Sequence, residues 1–171
     1  MAQCSKTAAM SKKINICRPG YGASCALCCG SHNYVLEPDE ISALFKIRSG
    51  ERKPEAPKRF ADAIQCPHVG YTYGSESVIG CLNYRESADS SDAFFNKTCK
   101  TFFCHASDRL TNKEIIFAAR LCADWYYYSL LIHEVDLLAS LVKEFSDPRE
   151  LPAERARALK DRLRKGLLES P

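Results

Sequence analysis

The chain has 171 residues, 10 of them cysteine, with 24 basic and 21 acidic side chains and a net charge of +3. That length suffices for one domain with its own core and does not demand two. Acids and bases are interspersed, which gives no specific nucleic-acid signal, and no run of 18 or more uncharged apolar residues predicts a membrane-spanning helix.

The opening residues, Met1-Ala2-Gln3-Cys4-Ser5-Lys6 running on to Lys12 and Lys13, contain no apolar core of a signal peptide. The expected compartment is therefore the reducing cytosol, where thiols stay free. Residues 1–16 read as a flexible lead-in, followed by a single domain over 17–171. Cys17-Arg18-Pro19-Gly20-Tyr21-Gly22 is turn-rich, with glycines that let backbone wrap closely round a site. It leads to Cys25-Ala26-Leu27-Cys28-Cys29-Gly30, three thiols in five residues. A C-x2-C step points two thiolates inward at a metal in zinc ribbons and iron–sulfur sites alike. Cys28 and Cys29 are not expected to bond each other, because consecutive Cα atoms lie about 3.8 Å apart and an unstrained disulfide needs about 4.4–6.8 Å.

After this knot, Glu37-Pro38-Asp39-Glu40 predicts a helix start, with acids in the first turn and proline near the first position. Ile41, Leu44, Phe45 and Ile47 supply an apolar stripe over roughly 38–48, ended at Gly50. Residues 51–58 read as a charged loop, and Arg59 to Ile64 as a further helical turn. Cys66-Pro67-His68-Val69-Gly70-Tyr71 and Val78-Ile79-Gly80-Cys81 flank a Gly-Ser turn and predict a hairpin whose arms bring Cys66 and Cys81 to a common end. Glu86 to Asp92 reads as a loop, and Cys99-Lys100-Thr101-Phe102-Phe103-Cys104-His105 returns two more thiols.

Thr111-Asn112-Lys113-Glu114 is a capping-box pattern and predicts a helix from about 112. No glycine or proline interrupts Ile115 to Phe145. One helix of that span would be about 50 Å long, against a radius of gyration of about 16 Å for a domain of this size. A break, a bend or an overhang packed on a partner chain is expected. Trp125-Tyr126-Tyr127-Tyr128 reads as a core or dimer seam, and Cys122 as a core residue. Pro152 precedes a last, basic helix over about 153–168. The C-terminal helices are the expected surface for a protein partner or homodimer. The fold class predicted is mainly α with a small β-hairpin: a Cys-rich metal-binding core over 17–105 followed by a helical part over 111–168.

The order Cys25-x2-Cys28-Cys29, Cys66-Pro67, Cys81-x2-Tyr84 and Cys99-x4-Cys104 resembles the Cys-rich YkgJ-like family, described as zinc- or iron-chelating, over residues 17–105. The family's first cysteine falls at Tyr21 or Gly22 here, so either Cys17 substitutes from farther away or the site has one ligand fewer. The Arg-Pro that follows the tyrosine in the family is missing, and Lys100 and Phe103 stand where arginine and proline are common. The resemblance implies a ligand set of Cys25, Cys28, Cys29, Cys66, Cys81, Cys99 and Cys104, with Cys17 as an eighth. Buried free thiols or disulfides are the plain alternative, but a buried free thiol explains single cysteines rather than a spaced array. The cofactor expected is zinc or iron, the latter including an iron–sulfur cluster, since thiolate sites suit both. Seven or eight thiolates exceed the four of one tetrahedral site, which leaves room for two metals or for reactive thiols. The function expected is structural or metal-handling. The alternative is an iron–sulfur redox or protein-modifying enzyme, as flagellin lysine methylase relatives of the family imply. His32, His68 and His105 lie within three residues of a candidate ligand and read as supporting donors or surface residues. His133-Glu134 resembles half of H-E-x-x-H, but Leu137 stands where the second histidine belongs. No P-loop, G-x-S-x-G or G-x-G-x-x-G is present.

Overall fold

The computed structural model describes residues 12–50, 54–72, 75, 77–83, 95–99 and 101–169. It is mainly α with one two-stranded antiparallel hairpin, about 51% of it helical. Helix α1 (Pro38–Arg48) starts on a reciprocal capping box between Glu37 and Glu40 and carries Pro38 in its first turn. It buries Ile41, Leu44, Phe45 and Arg48. The expected stripe therefore needs one correction: Ile47 is 50% exposed while Arg48 is 2% exposed. A period of 3.6 continues 41, 44, 45 to 48 and turns position 47 outward. The Arg48 guanidinium is accommodated by acceptors, donating to Tyr34 Oη at 2.6 Å, to Pro54 O at 3.0 and 3.2 Å and to Cys66 O at 3.3 Å.

Strands β1 (Val69–Tyr71) and β2 (Ile79–Cys81) pair with Val69 opposite Cys81, and β1 packs on α1. Residues 59–64 form turns rather than the expected helical turn. Asn33 is buried and holds them: its Oδ1 accepts from Phe60 N at 2.6 Å and its amide donates toward the carbonyls of Phe60, Ala63 and Ile64.

The C-terminal half is helices α2 (His105–Arg109), α3 (Asn112–Cys122), α4 (Trp125–Leu131), α5 (Val135–Glu144) and α6 (Ala153–Glu169). Thr111 and Glu114 cap α3 reciprocally, as the sequence predicts. The uninterrupted span from 112 breaks twice. At Ala123 the backbone turns left-handed (φ 50°), and Asp124 then caps α4 by accepting from Tyr127 N at 2.7 Å. The second break is the tight turn over 132–134. With these breaks α3 packs on both α4 and α5, and α4 packs on α6. The long overhang, and the need for a partner to cover it, disappear. Among the described residues no helix is long and apolar enough to cross a membrane.

One buried cluster joins the two halves, running from Ile16 and Ala23 through Phe45, Val69 and Ile79 to Ile115, Trp125, Leu131, Leu138 and Leu163. Trp125 stands at its centre, with ring centroids 5.3 Å from Phe45 and 5.4 Å from His32. The aromatic run is thus core: Trp125, Tyr126 and Tyr128 are buried. The end of the expected lead-in is also held, since Ile16 is buried, its carbonyl accepts from Tyr128 Oη at 2.8 Å, and Ile14 N donates to Asn112 Oδ1 at 2.9 Å.

Candidate metal centre

The knot is a short 3-10 turn over Leu27–Cys29. Cys29 N donates to Ala26 O at 3.0 Å and Gly30 N to Leu27 O at 2.8 Å. Leu27 N points at Cys25 Sγ at 3.5 Å, an N–H···S contact that favours a thiolate there. Gly30 is left-handed (φ 78°), and a Cβ on it would stand 1.9 Å from Ile64 O. Only glycine allows this approach, and the approach delivers a thiol: next to it Cys66 N donates to Cys29 O at 3.0 Å.

Cys17 reaches the knot although the whole of Arg18 to Ser24 lies between it and Cys25. The loop between them turns through three left-handed residues, Gly20, Tyr21 and Gly22, and closes with Cys25 N donating to Cys17 O at 3.1 Å. The loop sits at the first helix break, where a Cβ on Gly22 would meet Ala123 O at 3.4 Å. Ser24 is buried behind it, its Oγ accepting from Ile79 N at 2.9 Å and its carbonyl from Ser129 Oγ at 3.3 Å. Strand β2 and helix α4 are thereby fastened to the same few residues of the knot.

The thiols fall into two neighbouring groups. Cys17 is near enough to Cys28 and Cys104 to feel their charge, and burial with that repulsion pushes its thiol up to about 11. Cys25 is buried, and desolvation pushes it up to about 12, with Cys17 and Cys28 adding repulsion. Cys29 feels Cys28, Cys66 and Cys81, and the hydrogen bond between the Cys28 and Cys29 sulfurs raises Cys29 and brings Cys28 down to about 7. The Cys28 and Cys29 sulfurs are 3.9 Å apart. Cys104 Sγ lies 3.9 Å from His133 Nε2. Cys122 is buried between α3 and its neighbours and burial raises its thiol, as a core residue should show. Cys99 is exposed at the end of the turn Phe95–Cys99. Cys4, Tyr84, Lys100 and the 86–92 loop lie outside the described residues.

The histidines separate by partner. His32 is buried with both ring nitrogens occupied: Nε2 faces Tyr126 O at 3.0 Å and must carry the proton, so Nδ1 accepts from Ser31 Oγ at 2.9 Å. Burial holds it down to about 4. It ties the knot to α4 and has no lone pair to give a metal. His105 is exposed and His68 is half-buried. Sequence reasoning weighed these three and passed over His133 once the zincin pattern failed; its signal is spatial, visible only when the second helix break is known.

As arranged, no three His, Cys, Asp or Glu side chains among the described residues are close enough together to hold a metal. The donor set nevertheless fits a soft cation. With zinc–sulfur bonds of about 2.3 Å, a tetrahedral site sets sulfurs about 3.8 Å apart, and the Cys28 and Cys29 sulfurs meet that at 3.9 Å. Thiolates that repel one another are relieved by a cation, which deprotonates a coordinating thiol outright; of the candidates Cys25 is buried, while Cys17 and Cys28 are exposed. Cys28 also faces a cleft of about 260 Å³ lined by Leu27, Phe60, Ile64 and Leu167. A second cleft, between Tyr21, Ala123 and Pro148, carries Arg120 and Arg149, both of which pair with Asp147. No protein-family model, curated protein or solved structure matches the chain.

Proposed function

We propose that this chain binds zinc or iron through cysteine thiolates and that the metal organises its N-terminal half. The observation that carries the reading is the gathering of thiols from four separate segments, 17–29, 66, 81 and 104, about one short turn. Loops made of turns and few regular elements hold that turn, and Cys25 and Cys28 keep the C-x2-C step. Side-chain rotation would draw further sulfurs onto the Cys28–Cys29 pair, which already has the spacing. The resemblance of residues 17–105 to the YkgJ-like family points the same way. Ligand thiols must stay reduced, which places the protein in a compartment such as the cytosol.

The metal would contribute to folding directly, because structural zinc binds peptides with about 10–16 kcal/mol, comparable with the about 5–15 kcal/mol net stability of a domain. Its role here is structural or metal-handling. An iron–sulfur centre would show itself by visible absorption that bleaches in air or with reductant, whereas zinc thiolates are colourless. Substitution tests the ligand assignment. Cys28→Ser and Cys81→Ser should lose bound metal after gel filtration, and Cys122→Ser should keep it. Full retention in Cys28→Ser would remove the knot from the ligand set.

A further inference from the structure

His133 lies in the turn between α4 and α5, exposed, and the thiolate reading gives it no part. Its Nδ1 is 2.9 Å from Ser129 O. A carbonyl only accepts, so Nδ1 carries the proton and Nε2 holds the lone pair. That lone-pair nitrogen is the one facing Cys104 Sγ at 3.9 Å. Metal-bound histidines are fixed in this manner, one nitrogen donating to a carbonyl or carboxylate while the other ligates. The distance fits as well: metal–sulfur and metal–nitrogen bonds of about 2.3 and 2.0–2.1 Å at a tetrahedral angle set the two donor atoms about 3.6 Å apart. Closing from 3.9 Å takes a few tenths of an ångström, within the reach of a Cys104 rotation.

A further thiol is in the neighbourhood, though as arranged it does not close a three-donor cluster with the pair. Cys17 is within electrostatic reach of Cys104 and Cys28, and its backbone is pinned to the knot, its carbonyl accepting from Cys25 N at 3.1 Å. The Ser129 that orients His133 through its carbonyl also reaches Ser24 O through its hydroxyl, at 3.3 Å. The histidine, the knot and the loop carrying Cys17 are therefore positioned by one buried serine. Cys29, Cys66 and Cys81 form a second group that is coupled to the first through Cys28.

We propose that His133 Nε2 is a metal ligand, joining Cys17, Cys104 and one thiol of the knot in a mixed imidazole–thiolate site that fastens the C-terminal helices to the Cys-rich half. This rests on the metal-binding reading above and extends it to a residue outside the cysteine array. The cation it takes is zinc or another divalent ion that accepts sulfur and nitrogen together.

X-ray absorption at the zinc edge of the full-length, zinc-loaded protein tests the proposal without any variant, because imidazole gives an outer-shell scattering pattern that thiolates lack. The expected result is mixed sulfur and imidazole ligation in the wild type, with the imidazole pattern lost in His133→Gln and kept in His105→Gln. Cobalt(II) titration should show His133→Gln binding about tenfold more weakly or worse, and His133→Cys should bind with an all-sulfur ligand-field spectrum. Zinc bound by sulfur alone in the wild type would overturn the proposal and leave the thiolate reading standing. Imidazole scattering that survives in His133→Gln would also overturn it. A wild-type protein that binds neither zinc nor iron would overturn both. Rapid alkylation of Cys104 in the zinc-loaded protein would likewise contradict its place as a ligand.

Discussion

Among the described glycines, Gly30 is the one whose replacement by alanine should damage the fold most. Two costs are read from the structure. Gly30 sits at φ 78°, and its added Cβ would lie 1.9 Å from Ile64 O and 2.7 Å from Ile64 C. The left-handed conformation costs a residue with a Cβ about 1–2 kcal/mol. The clash is with backbone, so no side chain can rotate away; residues 64–66 must retreat, and the Cys66 N–Cys29 O bond stretches with them, a further loss of about 1 kcal/mol. The sum is about 2–3 kcal/mol, which for a domain of this size lowers Tm by about 4–12 °C. Gly166 supplies the internal control, since it lies within α6 and a Cβ there meets nothing within 4 Å. Gly166→Ala should gain about 0.5 kcal/mol from helix propensity alone. Both variants are measured by urea and thermal unfolding, with and without bound metal. Gly30→Ala should also lose metal, because it separates Cys29 from Cys66. Wild-type stability in Gly30→Ala, or equal effects of the two substitutions, would refute the close approach of the knot to residues 64–66.

Asn33→Leu strands the Phe60 N–H and three carbonyls that the amide now serves, a loss of about 2–4 kcal/mol; tryptic cleavage after Lys58 or Arg59 should accelerate, and an unchanged rate would contradict the clamp. His32 should make the protein acid-labile. Its folded pKa is held down to about 4 against 6.5 for the free side chain, so between those values the unfolded chain takes up a proton that the folded chain refuses. Stability then falls as pH drops from 6.5 towards 4, by at most about 3 kcal/mol, and His32→Gln should flatten that part of the pH profile; parallel profiles would contradict the buried neutral ring. Thr111→Ala removes the cap of α3, whose Oγ1 accepts from Glu114 N at 3.3 Å, and should cost about 1 kcal/mol in urea unfolding; a neutral result would mean that the cap is replaced by water.

Local chemistry made much of the fold legible. Pro38 with its acids placed α1, Thr111 with Glu114 placed the start of α3, and the β-branched and aromatic alternation round the Gly-Ser turn placed the hairpin. Each of these signals lies within a few residues of the feature it specifies. Long-range events were not legible in the same way. The break at Ala123 carries no glycine or proline, and the 3.6-residue pattern runs straight through it; Asp124, a good cap, was the one available hint. The burial of Arg48 depends on carbonyls at Pro54 and Cys66 that sequence spacing does not bring together. The site shows the same division. Cys25, Cys28 and Cys29 announce themselves by spacing, and Cys66 and Cys81 by the hairpin that carries them. Cys17 needed the three left-handed residues of its loop to close on the knot, and His133 needed both the second helix break and the Ser129 carbonyl.

The most direct test of the central claim is a count of zinc, iron and acid-labile sulfide per chain on untagged protein purified without oxygen, with the visible spectrum recorded on the same sample. The account predicts stoichiometric metal held by thiolates, so that a strong chelator removes it, exposes the cysteines to thiol reagents and unfolds residues 17–105. Iron with sulfide would make the centre a cluster, and zinc alone would make it structural. A chain that carries no metal, and whose folding and thiol reactivity are the same with and without chelator, would contradict the account.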